Sequence, residues 1–177
     1  MKEGIVIIGA GGHGKVIADA IVKAGQYNLL GFVDTKLPIG TTVFGDYKII
    51  ETQDNIASLI NDSTKFIIGI GNNEVRSKIY TQFANSLAWA TVNHPSAVIA
   101  RDVKIGEGSV LLANAVVNAS STIGQFTIVD SGVIVDHECA IGSFSHLTIG
   151  TLVGSNSKLK SNLKTELGQI IKPFTEI

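Results

Sequence analysis

The chain has a single cysteine, Cys139, only three prolines, and 6% aromatic residues. One cysteine excludes an intrachain disulfide framework and suits a reducing compartment. No apolar run reaches the ~18–20 residues that cross a bilayer. The N-terminus, Met1-Lys2-Glu3-Gly4-Ile5, enters a strand-like run without a charged-then-apolar leader. Fourteen basic side chains against fifteen acidic ones leave a net charge of −1, and a missing basic surplus argues against a nucleic-acid partner. These absences predict a cytoplasmic globular protein with no membrane insertion. The 177 residues, 45% of them hydrophobic, suffice for one ordinary domain or two small ones.

Glycine is what the chain has in excess, 19 residues. In the first half, Gly4–Ile8 is a continuous apolar run, as in a strand buried on both faces. Gly9-Ala10-Gly11-Gly12-His13-Gly14 follows, and then a stretch with Val16, Ile17, Ala20, Ile21 and Ala24 at helical spacing. Leu29–Val33 predicts a second strand closed by Asp34, Lys65–Ile70 a third, and Ala88–Val92 one more. Helices are expected over about Thr52–Ile60 and after Gly71-Asn72-Asn73. Alternating strands and helices predict a Rossmann-like parallel sheet over residues 1–93.

Gly9, Gly11 and Gly14 satisfy G-x-G-x-x-G, and Asp34 lies where a dinucleotide-binding fold keeps its ribose-binding acid. Spacing leaves two readings open, a phosphate-bearing ligand on the helix N-terminus or a tight strand-to-helix turn. His13 lies inside that turn. A unit of ~90 residues suits a mononucleotide better than NAD.

From His94 onward a period of six appears. Ile99, Ile105, Leu111, Val117, Ile123, Val129, Val135, Ile141, Leu147, Val153, Leu159, Thr165, Ile171 and Ile177 are evenly spaced, and only Thr165 is not aliphatic. Four residues after each aliphatic position small residues recur, among them Ser109, Ala115, Ser121, Thr127, Cys139, Ser145 and Ser157. This is the hexapeptide signature of a parallel β-helix, three repeats to a coil, over residues 94–177. The small residues are expected to let the chain turn its corners. Cys139 takes one of these slots and reads as packing, and Asn114 and Asn118 as corner or face residues. The register weakens after Leu159, with Leu163 and Gln169 in small slots and Lys160 and Glu166 where glycine is expected. A frayed last coil, or a shortened one ending in mid-coil at Ile177, is therefore predicted.

Histidine is scarce. His94 precedes Pro95 and reads as structural. His137, in Asp136-His137-Glu138-Cys139, lies outside the coil core, open to both a general-base and an exposed-surface reading. His146 falls half a coil further on, so within one subunit the two should not share a site. The histidine spacing does not suit a metal site.

Taken together, Gly9–Gly14, Phe32-Val33-Asp34, Gly69-Ile70-Gly71-Asn72-Asn73 with Arg76, His94-Pro95-Ser96-Ala97, and Asp136–Gly142 with Phe144-Ser145-His146 resemble one family. It is the sugar acyltransferases of the PglD and NeuD types, and the His137–His146 run is similar to the PglD type. The resemblance implies a left-handed β-helix, a homotrimer with sites between subunits, and acetyl-CoA as co-substrate without a metal. It implies His137 as general base and Glu138 as its supporting acid. Gly11, Gly12, His13, Asp34, Thr35 and Gly71 would hold a UDP-amino-sugar, and His146 and Leu167 would meet acetyl-CoA. Asp130-Ser131-Gly132 departs from the family's usual Asn-Thr/Ser. The implied activity is N-acetylation of a UDP-linked 4-amino-sugar. O-acetylation of sialic acid or a related sugar, and a non-catalytic nucleotide-sugar-binding subunit, are the alternatives.

Overall fold

A computed structural model describes residues 2–177, and the chain divides after Ala90 into two compact units. In the first, strands β1 (Gly4–Ile8), β2 (Asn28–Asp34), β3 (Thr42–Phe44), β4 (Tyr47–Thr52) and β5 (Thr64–Ile68) form one sheet in the order β3-β4-β2-β1-β5. All neighbours are parallel except β3 and β4. Ile5, Val6, Ile7 and Ile8 are fully buried, as a central strand covered on both faces requires. Helix α1 (Gly12–Ala24) buries Ile17, Ala18, Ala20 and Ile21 and stops at Gly25, which adopts the left-handed conformation with φ +61°. Helix α2 (Asn73–Phe83) buries Ile79.

Two local expectations are corrected here. The segment expected as an α-helix near Thr52–Ile60 is a 3-10 helix, Gln53–Leu59, kinked at Asn55, and it buries only Ile56. One apolar contact per two turns is too little to hold a regular α-helix. Ala88–Val92 is not one strand; Trp89 makes a single parallel bridge to Phe66, and Val92 begins the first strand of the second unit. The β3–β4 pair, which carries the sheet to its edge, has little apolar alternation to announce it.

The second unit is a left-handed parallel β-helix of two-residue strands. Beginning with β6 (Val92–Asn93), β7 (Val98–Ile99) and β8 (Lys104–Ile105), every third strand pairs in parallel, which gives three faces. The first face stacks β6, β9 (Val110–Leu111), β12 (Ile128–Val129) and β15 (His146–Leu147). The second stacks β7, β10 (Val116–Val117), β13 (Ile134–Val135), β16 (Leu152–Val153) and β18 (Ile170–Ile171). The third stacks β8, β11 (Thr122–Ile123), β14 (Ala140–Ile141) and β17 (Lys158–Leu159). The second residue of each pair points inward, so Leu111, Val117, Ile123, Val129, Val135, Ile141, Leu147, Val153 and Leu159 form one core.

The corners are not turned by the small residues themselves. The residue before each small one is left-handed, and residues 108, 114, 120 and so on to 174 all have positive φ. The small residues instead stitch coil to coil. Ser121 Oγ donates to the Asp136 carbonyl at 2.7 Å and accepts the Cys139 N–H at 3.0 Å. Ser109 does the same toward Gly124 and Thr127. Cys139 Sγ holds the equivalent place, 3.2 Å from the Gly154 carbonyl, and burial raises its thiol pKa.

Glycine after the inward residue is needed on the third face, where a Cβ on Gly124 would lie 2.4 Å from the Ser143 nitrogen. Glu166 lies on the first face, whose equivalent positions are Leu112, Asp130 and Thr148, so no glycine is missing there. The expected fraying after Leu159 is also corrected. The β18 ladder, a Lys164 bridge to His146 and a Glu176 bridge to Lys158 keep the register. Thr165 is tolerated in an aliphatic slot because its hydroxyl accepts the Thr148 N–H at 2.8 Å and bonds the Thr151 hydroxyl at 2.8 Å.

The stitching role separates two substitutions. Cys139→Ser keeps a group able to donate to the Gly154 carbonyl and should change stability by less than about 1 kcal/mol. Ser121→Ala removes the acceptor of a buried N–H and should cost about 1–3 kcal/mol. Denaturant midpoints of the two variants check the difference.

Candidate active site

β1 lies between β2 and β5, and its chain connection leaves toward one neighbour while the other returns later. In parallel sheets this opens a crevice beyond the carboxyl ends of the strands. The structure gathers Gly9–Gly12, Asp34 with Thr35, and Gly69–Gly71 at this edge. Gly9 N–H donates to the Val33 carbonyl at 2.8 Å, and Gly69 N–H to the Ile8 carbonyl at 2.7 Å.

The glycines of the motif have different causes. A Cβ on Gly14 would lie 2.2 Å from the Gly9 carbonyl oxygen, so that glycine belongs to helix-on-strand packing. A Cβ on Gly11 or Gly12 would meet nothing within 4 Å, and Gly11 has an ordinary φ of −75°. Packing does not demand glycine there. Bare backbone at those positions lets another molecule approach closely. The helix termini differ in the same sense. Asn72 Oδ1 caps α2 by accepting the Val75 N–H at 3.0 Å, with Glu74 in the first turn. Helix α1 has no side-chain cap and no acid in its first turn, which suits an external anion. His13 is half-buried in that turn, Thr35 is exposed, and Gly71 is half-buried before α2.

Asp34 is already engaged. Its Oδ2 accepts the Ala10 N–H at 3.0 Å, and Oδ1 accepts from Lys36 and Leu37 at 2.8 and 3.2 Å. Burial opposes its ionisation, but these backbone N–H bonds outweigh it and lower its pKa. Arg76 was not singled out by spacing for a role. Its guanidinium is 1% exposed, donates to the Ile70 carbonyl at 3.0 Å and Asn73 Oδ1 at 2.9 Å, and pins the loop that carries Gly71. Burial lowers its pKa to about 10, which leaves it charged at neutral pH.

In the coil, His137 and Glu138 occupy the corner between the second and third faces. Glu138 is one of the left-handed residues, φ +59°. Both side chains are exposed, and His137 Nδ1 lies 3.0 Å from Glu138 Oε2. Asp136 accepts the His137 N–H at 2.8 Å and the Asn118 amide at 3.1 Å, bonds that lower its pKa in that order. His146 stands on the first face, nearly buried, with Nε2 3.3 Å from Asp130 Oδ2. His137 and His146 therefore lie on different sides of one coil. Leu167 is exposed and, with His146, lines a cavity of about 350 Å³. The Asp130–His146 pair, sixteen residues apart, carries no sequence signal; Asn118 and Asp136, one coil apart, could have been read from the period. His94 Nδ1 bonds Ser96, a local turn contact. Among the described residues no three His, Cys, Asp or Glu side chains converge as metal ligands, and no helix is long and apolar enough to cross a membrane.

The Asp34 bonds predict a pH effect. The folded pKa lies below the ordinary value of 3.8, so the unfolded chain binds more protons between the two values and stability rises with pH there. Asp34→Asn should be less stable than the wild type by about 1–3 kcal/mol at pH 7. The gap should close as the pH falls through 3.8 and below. Urea midpoints measured across that range check it.

Residues 4–83 match the PglD N-terminal domain family. UDP-N-acetylbacillosamine N-acetyltransferase of Bacillus subtilis (strain 168) is 32% identical over 116 residues, 63% of this chain. The chain spans about half the length of that relative, 52%. The acetyltransferase domain of PglB from Neisseria gonorrhoeae FA1090, solved with acetyl coenzyme A, is 27% identical with a TM-score of 0.79, covering 99% of this chain and 96% of that one. A histidine-to-asparagine mutant of perosamine N-acetyltransferase from Caulobacter crescentus, with CoA and GDP-perosamine, is 27% identical with a TM-score of 0.77 over 98% and 84% of the two chains. Residues 4–83 thus match the PglD N-terminal domain family, and the fold of the chain is similar to those of these acetyltransferases.

Proposed function

We propose that the chain is an acetyl-CoA-dependent N-acetyltransferase acting on a UDP-linked 4-amino-sugar, which puts it in glycan biosynthesis. The 3.0 Å contact between His137 Nδ1 and Glu138 Oε2 carries the reading. An ionised carboxylate only accepts, so Nδ1 bears the hydrogen and Nε2 keeps a lone pair for a proton. As the amine nitrogen attacks the thioester carbonyl, an N–C bond forms and the C–S bond breaks. The amine's proton passes to His137 Nε2, and the sulfur leaves as thiolate and is protonated. A positioned imidazole contributes typically ~10²–10⁴-fold to such a step. The bare backbone at Gly11 and Gly12 and the uncapped start of α1 would take the diphosphate, with His13, Asp34, Thr35 and Gly71 around the nucleotide-sugar.

His137 and His146 on separate sides of the coil point to a site completed by a second copy. The outward residues of the second face, Val98, Val116, Ile134, Leu152 and Ile170, are all aliphatic, and Val98 and Ile170 are 61% and 72% exposed. The third face carries Lys104, Thr122, Ala140, Lys158 and Glu176 instead. An aliphatic stripe beside a polar face fits subunit packing, here a homotrimer that sets His137 of one chain beside the His146 and Leu167 side of another.

Thiol release from acetyl-CoA, with UDP- and GDP-linked 4-amino-sugars and sialic acid as acceptors, tests the activity. Release with the UDP-amino-sugar should fall ~10²–10⁴-fold in His137→Ala. Gly11→Ala should keep its melting temperature but lose nucleotide-sugar affinity. Release with sialic acid alone would mean O-acetylation, and nucleotide-sugar binding without release a non-catalytic subunit. Sedimentation should give three times 18.6 kDa, and Ile134→Glu should dissociate the assembly and abolish turnover together. Full activity from a monomer would overturn the intersubunit site.

A further inference from the structure

Asp130 and His146 are the most buried pair of ionisable side chains on the coil, 16% and 10% exposed, and both line the 350 Å³ cavity with Lys164, Glu166, Ile149 and Leu167. Resting on the acetyl-CoA reading above, we infer that Asp130 is a positioning residue that fixes the tautomer of His146 in the pocket receiving acetyl-CoA. The coil ladder holds the two in register. His146 pairs with Ile128 across β12 and β15, and Asp130 N–H donates to the Leu147 carbonyl at 3.0 Å. The carboxylate is held at both ends, because Oδ1 accepts the Ser131 N–H at 2.7 Å while Oδ2 faces His146 Nε2 at 3.3 Å.

A carboxylate in this place is acceptor-only, so in the neutral imidazole the ring hydrogen sits on Nε2. An amide of the same shape behaves oppositely. Its Oδ1 keeps the Ser131 bond, its NH₂ turns a donor toward Nε2, and the ring hydrogen moves to Nδ1. The pantetheine arm and thioester of acetyl-CoA offer separate N–H donors and carbonyl acceptors. A ring held in one tautomer distinguishes them, and a mismatched polar contact costs about tenfold in affinity.

The test is ¹H–¹⁵N spectroscopy of the His146 ring, assigned through His146→Gln, beside acetyl-CoA calorimetry and steady-state kinetics on the full chain. The wild type should show the Nε2–H tautomer and Asp130→Asn the Nδ1–H form. In that variant the KM and Kd for acetyl-CoA should rise about tenfold while kcat stays within about twofold. The KM for the amino-sugar should not move. Asp130→Glu, again acceptor-only, should restore the Nε2–H tautomer, which a role in the turn alone would not require. The same tautomer in the wild type and Asp130→Asn, or an unchanged acetyl-CoA affinity, overturns the inference and leaves the acetyltransferase reading intact. Failure of the wild type to bind acetyl-CoA overturns both.

Discussion

Everything in the second unit depends on stacking coils in strict register. Eight non-glycine residues, from Asn114 to Phe174, adopt left-handed backbone at the corners, each at a cost of roughly 1–2 kcal/mol. No single coil offsets that cost. It is offset by ladders to the coils on either side and by buried hydroxyls such as Ser109 and Ser121, which donate to a carbonyl of the next coil and accept an N–H from that same coil. Stability in such a stack is a sum of neighbour terms. The same stack holds the candidate catalytic groups, since Glu138 is itself a corner residue and Asp136, which bonds the His137 N–H, lies one coil from its partner Asn118.

The period of six was legible because the inward slot admits almost only aliphatic side chains, so it repeats visibly from Ile99 to Ile177. The corner rule was not. Its left-handed residues include asparagine, serine, glutamate and phenylalanine, and no composition rule marks them. Phe126 and Phe144 succeed there by stacking on each other, ring centroids 5.3 Å apart. Thr165 looked like decay for the same reason, because its partners Thr148 and Thr151 lie on another coil or across a corner. In the first unit β1, α1 and β5 were readable from apolar runs and helical spacing. The 3-10 segment and the β3–β4 edge were not, since each buries too little to leave a pattern.

The candidate site was legible where chemistry needs a residue type and illegible where it needs geometry. His137-Glu138 stands out as adjacent residues, and the glycine turn as a spacing. What the spacing could not decide was which glycines serve the fold. Gly14 does, against the Gly9 carbonyl, while Gly11 and Gly12 face open space. Arg76 and Asp130 act through neighbours, one through a loop carbonyl and the other through an imidazole. Asn73 stands at helical i, i+3 spacing from Arg76, but the loop carbonyl of Ile70 and the Asp130–His146 pair have no such periodicity to announce them.

The two units prepare for ligands by opposite means. Under the proposed function, the edge of the first that would take the nucleotide works by omission, with no side chains at Gly11 and Gly12 and no side-chain cap on α1. The coil works by addition, placing imidazoles and carboxylates on a rigid lattice whose spacing repeats every eighteen residues. The coil backbone is fixed by its ladders, so the chemistry proposed for it should be altered by changing single side chains such as Asp130 and Glu138 while the backbone stays in place. In the proposed function, selectivity for the nucleotide and competence for acyl transfer therefore rest on different side chains, placed by different means.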